Sequence, residues 1–359
     1  MIEVKTEILQ SMVNKAIKGA SNNRLVPLTN YMGITYVPNV LHLLTTDGMN
    51  YLEVSSTLEQ GEAFRAVVSA DVFTKLIRRL SGETVKLSLT DKYLMVECNG
   101  TYKLELLLDD DGNAVEFGMP FDNLDGKPKI GEFSRAFITR LVTSLKQSLA
   151  TVPTRPHYCC YRMGDEVVAT DTSLISILNQ KAFDTPRLVS TECVNLLDAV
   201  VGDNGVASAY QLDGAVVYDC GSDCLYCREP NGIENFNVAS IKGFADAEFP
   251  YHCTISVDAL IETLERIDIF VSAYDNLRPA DLHFDQDGVT ISSRSTSGVE
   301  QVAYETIDGE PEFNCVADVT SLLTVLKAQS SQVVDLYFGG EQTIKLVDDD
   351  LVTILALMY

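Results

Sequence analysis

The chain of 359 residues reads as an α+β protein, built from three tandem copies of one module with two helices laid on antiparallel sheet. Three observations predict this. Six segments carry apolar residues at i, i+3, i+4 and i+7, the stripe of a helix buried on one side. Short runs of strand-forming residues, separated by turn-forming pairs, surround them. The arrangement also returns about every 120 residues, with stripes opening at Phe73, Cys193 and Val319.

Module one spans residues 1–126. Leu9, Met12, Val13 and Ala16 predict a helix over 6–18, broken at Gly19. Runs at 34–36, 41–45, 51–55 and 64–68 follow as strands, with Asp47-Gly48 as one turn. Phe73, Leu76, Ile77 and Leu80 then give the second helix. Strands 85–89, 93–98 and 101–107 complete the module, broken at Asp91-Lys92 and Asn99-Gly100. Residues 122–129, with Gly126 and Pro128, have the composition of a linker.

Module two, 127–250, repeats the plan. Its first stripe is Ile138, Leu141, Val142 and Leu145, ending before Pro153. A hairpin over Gly164-Asp165 joins 158–162 to 166–170, and 174–178 adds a strand. Cys193, Leu196, Leu197 and Val200 open the second half, followed by strands 207–212, 215–220 and 224–229 with Asp213-Gly214 at the first turn. Residues 243–250 read as a second linker. Module three, 251–359, has stripes Val257, Leu260, Ile261, Leu264 and Val319, Leu322, Leu323, Leu326. Its strands fall near 281–284, 289–293, 301–306, 333–338, 342–347 and 351–357, with turns at Gly339-Gly340 and 348–350.

Composition narrows the function. Residues 1–10 carry charges where a secretion signal needs an apolar core, and no apolar run approaches the roughly 20 residues of a membrane helix. A soluble, intracellular protein with no membrane partner is expected. Nine cysteines, an odd number on a long chain, fit reduced thiols better than a disulfide framework.

Motifs for chemistry are scarce. There is no G-x-G-x-x-G, P-loop, G-x-S-x-G or H-E-x-x-H, and His42, His157, His252 and His283 lie in separate segments. Cys220, Cys224 and Cys227, with His252 and Cys253, are the one metal candidate. Residues 224 and 227 sit three apart on an expected strand, so their side chains point to opposite faces, which argues against convergence on one ion. Asp109-Asp110-Asp111-Gly112-Asn113 and the acidic turn 348–350 lack calcium-loop spacing and read as solvated turns. No metal or other cofactor is expected.

The net charge of −24 is unevenly placed. The segments 6–18, 71–80 and 132–146 carry +1, +2 and +2, while 190–200, 257–269 and 318–328 carry −2, −3 and zero. The six helices therefore balance, and the whole excess of acid lies outside them. Cationic helices can touch phosphates while an acidic remainder repels stray nucleic acid, although solvated helix faces would look the same.

Three tandem copies of such a module resemble the bacterial sliding clamp, the DNA polymerase III beta subunit, over the whole chain. Asn23-Arg24-Leu25-Val26-Pro27 is similar to the family's segment after the first helix, where an arginine approaches DNA. Val168-Ala169-Thr170-Asp171 resembles its V-A-T-D stretch, and the last strand runs apolar to the end of the chain, as in clamps. The resemblance implies a non-enzymatic processivity factor in the cytoplasm of a bacterial or phage-infected cell. Each chain would be half of a closed ring, two copies joining head to tail around duplex DNA with helices inward. Partners would be DNA polymerase, a clamp loader and other proteins with clamp-binding peptides.

Residue by residue, the resemblance puts Arg24, Lys75, Arg78, Arg79, Arg140, Lys146 and Arg155 nearest DNA. It pairs Tyr102 and Leu104 with Ile269 and Phe270 of the partner subunit in the homodimer. It places a peptide pocket at Thr170, Thr172, Leu174, Ile175, Pro250, Leu355, Leu357 and Met358, residues that would equally serve as packing between domains. Here the sequence departs from the family. Thr172-Ser173-Leu174-Ile175 stands for the usual Gly-His-Arg-Leu, and Leu355-Ala356-Leu357-Met358-Tyr359 for Met-Pro-Met-Arg-Leu. A divergent version, as on a phage or mobile element, fits these changes. The alternative is a triplicated structural or protein-binding protein, for example viral, that never encircles DNA. An enzyme using the cysteine cluster ranks third.

Overall fold

The computed structural model describes every residue except 24, 59–60, 153, 272–276, 295–297, 341 and 359. Six helices are each entered directly from a strand. Ile2–Lys5 leads into α1 (Thr6–Ala16), Phe64–Ser69 into α2 (Ala70–Ile77), Lys129–Ser134 into α3 (Arg135–Arg140) and Arg187–Ser190 into α4 (Thr191–Val200). After the short α5 (Val238–Ala245), Tyr251–Ser256 leads into α6 (Val257–Asp268) and Phe313–Asp318 into α7 (Val319–Lys327). The last strand residue often doubles as the helix cap. Ser69, Ser134, Ser256 and Asp318 accept from the backbone N–H groups of Val72, Phe137, Ala259 and Ser321. Each such cap contributes about 1 kcal/mol by satisfying an amide the helix cannot.

The chain forms two compact units, residues 1–138 with 192–229, and residues 139–191 with 230–359. In the first, eight strands run in the order Phe64–Ser69, Tyr31–Val37, Val40–Thr46, Asn50–Thr57, Asp223–Arg228, Ala215–Asp219, Val206–Leu212, Lys129–Ser134. Asp223–Arg228 thus joins Asn50–Thr57 in one ladder, although 160 or more residues separate them. Ile2–Lys5, Thr84–Leu89, Tyr93–Glu97 and Thr101–Glu105 make a second, four-stranded sheet. In α1, Leu9, Met12, Val13 and Ala16 are all buried, so the expected stripe is the packed face.

The second unit has a nine-stranded sheet in the order Arg187–Ser190, Cys160–Met163, Val167–Thr170, Leu174–Leu178, Leu351–Ala356, Thr343–Asp348, Val333–Phe338, Tyr251–Ser256, Thr306–Asp308. Val299–Val302, Val289–Ser293, Pro279–Phe284 and Phe313–Asp318 form its four-stranded companion. All of these neighbours pair antiparallel. The core under α6 and α7 gathers Leu260, Leu264, Leu322, Val325 and Leu326 with Phe284 and Phe338. Helices on antiparallel sheet are the expected α+β architecture.

Several elements differ from expectation. The stripe 138–145 belongs to no single α-helix: α3 ends at Arg140, a π-helical turn runs Leu141–Leu145 and a 3-10 turn Lys146–Ser148. Residues 243–250 are not all linker, since α5 runs into them with Ile241 buried. The run 158–162 begins as a 3-10 turn, Pro156–Cys159, because the ring of Pro156 suits the first position of such a turn. The turn 348–350 is not simply solvated. Asp348 is buried, and its carboxylate accepts from the backbone and side chain of both Ser330 and Ser331. Among the described residues no helix is long and apolar enough to cross a membrane.

Candidate functional site

The expected phosphate-contacting residues sit on or beside helix ends. In the first unit Lys75, Arg78 and Arg79 are exposed on α2 and the turn after it. Lys75 Nζ reaches Asp71 one turn back at 2.7 Å, and Arg78 Nε donates to Asn14 of α1 at 2.7 Å. Lys75 and Asp71 also border a cavity of about 530 Å3 with Asn22, Asn30 and Ser69. Arg24 lies outside the described residues. In the second unit Lys146 and Arg155 are exposed. Arg140 is half-buried, its Nη1 2.5 Å from Asp350, while its Nε and Nη2 are enclosed without a hydrogen-bond partner among the described residues. Its geometry is that of a structural ion pair, available to a phosphate only if Asp350 gives it up.

The residues expected at the peptide pocket divide in two. Thr172, Ile175 and Leu357 line one cavity of about 270 Å3, together with Phe244, Ile354 and the neutral Gln342. Among the described residues no charged side chain borders it, and Phe244 is 38% exposed. Leu174 and Leu355 are instead buried in the core beneath α6 and α7. Thr170 is buried as a brace, its Oγ1 donating to Leu174 O at 2.8 Å. Pro250 is exposed beside Gly339, and Met358 donates its backbone N–H to Val316 at 2.8 Å. Neither borders this cavity. Phe244 was missed because its helix falls in the segment read as linker.

The cavity wall depends on a tight turn. Asp171 Oδ1 accepts from the N–H groups of Ser173 and Leu174 at 2.8 and 2.7 Å. Within this turn Thr172 stands at a φ of +85°, in the left-handed region. A second cavity of about 520 Å3, bordered by Arg155, Tyr158 and Asp171, meets the first at Thr172.

The residues expected at a contact between copies lie on sheet and helix margins of their own units. Tyr102, on the edge strand Thr101–Glu105, is 39% exposed, whereas Leu104 on the same strand is 6% exposed. Ile269 and Phe270, just past α6, are 76% and 48% exposed.

The cysteine candidate has the geometry of packing. Cys227 points into the core while Cys224 lies on the other face of the strand Asp223–Arg228. Burial pushes the Cys220 thiol up to about 12 and the Cys224 thiol higher still, the reverse of what a thiolate ligand needs. Next to Cys253, His252 does not turn toward a metal. Its Nδ1 is 3.0 Å from Asp308 and its Nε2 is 2.8 Å from Asp335, with the Tyr337 ring tilted against it at 4.6 Å. Partial burial works against its charge, but the hydrogen bonds to the two aspartates outweigh it and raise its pKa.

No protein-family model matches the chain, and no curated protein matches it. Solved structures do. The chain is similar to the DNA polymerase sliding clamp of Bacillus subtilis, with a TM-score of 0.87 and 14% identity over 99% of this chain and 98% of that one. It matches the beta subunit of DNA polymerase from Streptococcus pyogenes at 0.87 and 13%, over 99% of both chains. The sliding clamp of Pseudomonas aeruginosa gives 0.84 and 15%, over 100% and 99%. Likeness at such low identity is a likeness of fold, and over its full length this chain has the fold of the bacterial DNA polymerase sliding clamps.

Proposed function

We propose that the protein is a DNA sliding clamp, a non-catalytic processivity factor of three modules, 1–126, 127–250 and 251–359. Two copies close into a ring around duplex DNA and tether a DNA polymerase. The observation that carries this reading is a match that covers 99–100% of this chain and 98–99% of the clamps it resembles. The mechanism is topological: a closed ring cannot leave DNA sideways, and loose phosphate contacts let it slide. Arg24, Lys75, Arg78, Arg79, Arg140, Lys146 and Arg155 supply those contacts. Tyr102 closes the ring against Ile269 and Phe270 of the partner subunit, while Leu104, buried in its own sheet, supports the strand that carries Tyr102. The cavity of Thr172, Ile175, Phe244 and Leu357 takes an apolar peptide anchor from the polymerase or another partner. A clamp loader opens one contact to admit DNA.

One observation favours a second reading. Lys75, Arg78 and Arg140 already have protein partners, and residues 257–269 carry −3, so attraction to phosphate is weak. A triplicated binding protein that never encircles DNA would tolerate this. Solution mass with negative-stain imaging separates the two: a clamp gives a dimer of about 79 kDa, twice the 39.5 kDa chain, with a central hole. Retention on closed circular DNA but loss from linear DNA completes the test. Stable particles without a hole, or equal retention on both DNAs, would end the clamp reading.

A further inference from the structure

The two compact units contain the same turn built twice. In the first, Thr46 Oγ1 donates to Asn50 O at 2.6 Å and accepts from Gly48 N at 3.0 Å, and Asp47 Oδ1 accepts from Met49 N and Asn50 N at 2.8 and 2.7 Å. In the second, Thr170 Oγ1 donates to Leu174 O at 2.8 Å and accepts from Thr172 N at 3.0 Å. Asp171 Oδ1 there accepts from Ser173 N and Leu174 N at the same 2.8 and 2.7 Å. These bonds agree one for one, and the first turn adds Asn50 Nδ2 donating to Asp47 Oδ2 at 2.7 Å. The turns differ at the left-handed position, which is Gly48 at φ +96° in one and Thr172 at φ +85° in the other.

Glycine takes that conformation freely, while a β-branched residue is strained in it by the clash of Cβ with the following carbonyl. The protein therefore has a relaxed solution to this turn, at Gly48, and does not use it at Thr172. Where the strained residue stands, it is the only one among the described residues that borders both the cavity of Ile175, Phe244, Ile354 and Leu357 and the polar cavity of Arg155 and Asp171. Strain of this kind persists where the side chain has work that glycine cannot do.

We propose that Thr172 is the specificity-determining residue of the peptide site, its branched side chain forming the wall that confines an incoming apolar anchor to the neutral cavity. This rests on the peptide-binding reading above. The methyl supplies packing surface on the anchor's flank, and the fixed turn holds it in place before binding, so little order is lost on association. Without it, the anchor can slide toward Arg155, and binding loses both strength and selectivity for apolar side chains.

The test uses the full chain, thermal unfolding, and a fluorescent peptide carrying adjacent leucine and phenylalanine. Thr172→Gly raises the unfolding midpoint by about 2 °C or more as strain is released. It weakens the peptide by about tenfold, the usual effect of losing one methyl-sized contact in a pocket. Thr172→Asn, which tolerates the left-handed region without glycine's looseness, also gains stability and also loses affinity. Gly48→Thr lowers the midpoint and leaves affinity alone; its Cβ meets nothing closer than 3.8 Å, so the cost is conformational. Variants at 172 that bind like the wild type, or that unfold no later, overturn the proposal. A wild-type protein that binds no such peptide overturns the peptide site itself.

Discussion

Ile269→Asp gives the sharpest test of ring closure. Ile269 is 76% exposed at the end of α6, past the point where the helix can use it for its own core. Full burial of an isoleucine stabilises by about 1.5–3 kcal/mol, so covering this one contributes about 2 kcal/mol at each contact. A two-copy ring has two contacts. Loss of the side chain therefore removes about 4 kcal/mol, close to three orders of magnitude in Kd, before any cost of burying the new carboxylate. Sedimentation across a dilution series should show the variant as a monomer where the wild type is a dimer, with unchanged thermal unfolding of the monomer. Leu104→Asp cannot serve instead. Leu104 is already buried within its own sheet, and its replacement would unfold the strand it was meant to expose. A dimer of undiminished affinity in Ile269→Asp would refute the assignment of this surface.

Two further outcomes follow from titrating groups. Because both imidazole nitrogens of His252 face carboxylates, both hydrogen bonds are donated only by the protonated ring. Its pKa is raised, so the attachment of the edge strand Thr306–Asp308 is complete below the unfolded value of about 6.5 and is lost as pH rises through the folded value. Amide-exchange protection at 306–308 should fall over that range and be flat in His252→Gln; equal protection at both ends would contradict the assignment. Burial opposes the charge of Asp348, but hydrogen bonds from Ser331 and Ser330 outweigh it and lower its pKa. Its contribution is present above the unfolded value of about 3.9 and is lost as pH falls through the folded one. Asp348→Ala should cost about 3 kcal/mol or more in urea unfolding at neutral pH, since two amides and two hydroxyls lose a charged acceptor; a cost below about 1 kcal/mol would mean the serines re-pair.

What could be read from the sequence was whatever a local period encodes. All four stripe residues of α1 are buried, and the three-strand meanders fall where their turn pairs placed them. The lead strands Ile2–Lys5, Arg187–Ser190 and Phe313–Asp318 escaped because each runs into a helix with no Gly or Pro to punctuate it. The π-helical turn Leu141–Leu145 escaped because its apolar spacing is that of an ordinary helix. At the candidate site the limits are of a different kind. Arg140 was legible as a cation but not as half of a pair, since Asp350 lies 210 residues away. The positive φ at Thr172 was illegible because nothing in a threonine's own identity signals it, and only the comparison with Gly48 in the twin turn brings it out.

Two ion pairs that join residues more than 200 apart say more about closure together than either does alone. Lys15 of α1 meets the buried Asp223 at 2.7 Å, where the strand Asp223–Arg228 joins the first sheet. Arg140 meets Asp350 at the start of Leu351–Ala356, where that strand joins the second. In each case a later meander adds its third strand to an earlier sheet, and a cation from an earlier helix secures the end of it. The corresponding hairpin of the first meander, Cys98-Asn99-Gly100, carries no acid. Its third strand, Thr101–Glu105, ends the four-stranded sheet, with one side unpaired among the described residues. If a second copy completes that edge, it does so without the partly buried ion pair found at both joints within the chain, and the exposed Ile269, Phe270 and Tyr102 must supply the stabilisation. Apolar contacts survive salt that screens exposed charges. The dimer should therefore persist in about 1 M NaCl, where the Debye length is only about 3 Å. Dissociation there would mean that charge, not apolar surface, closes the ring.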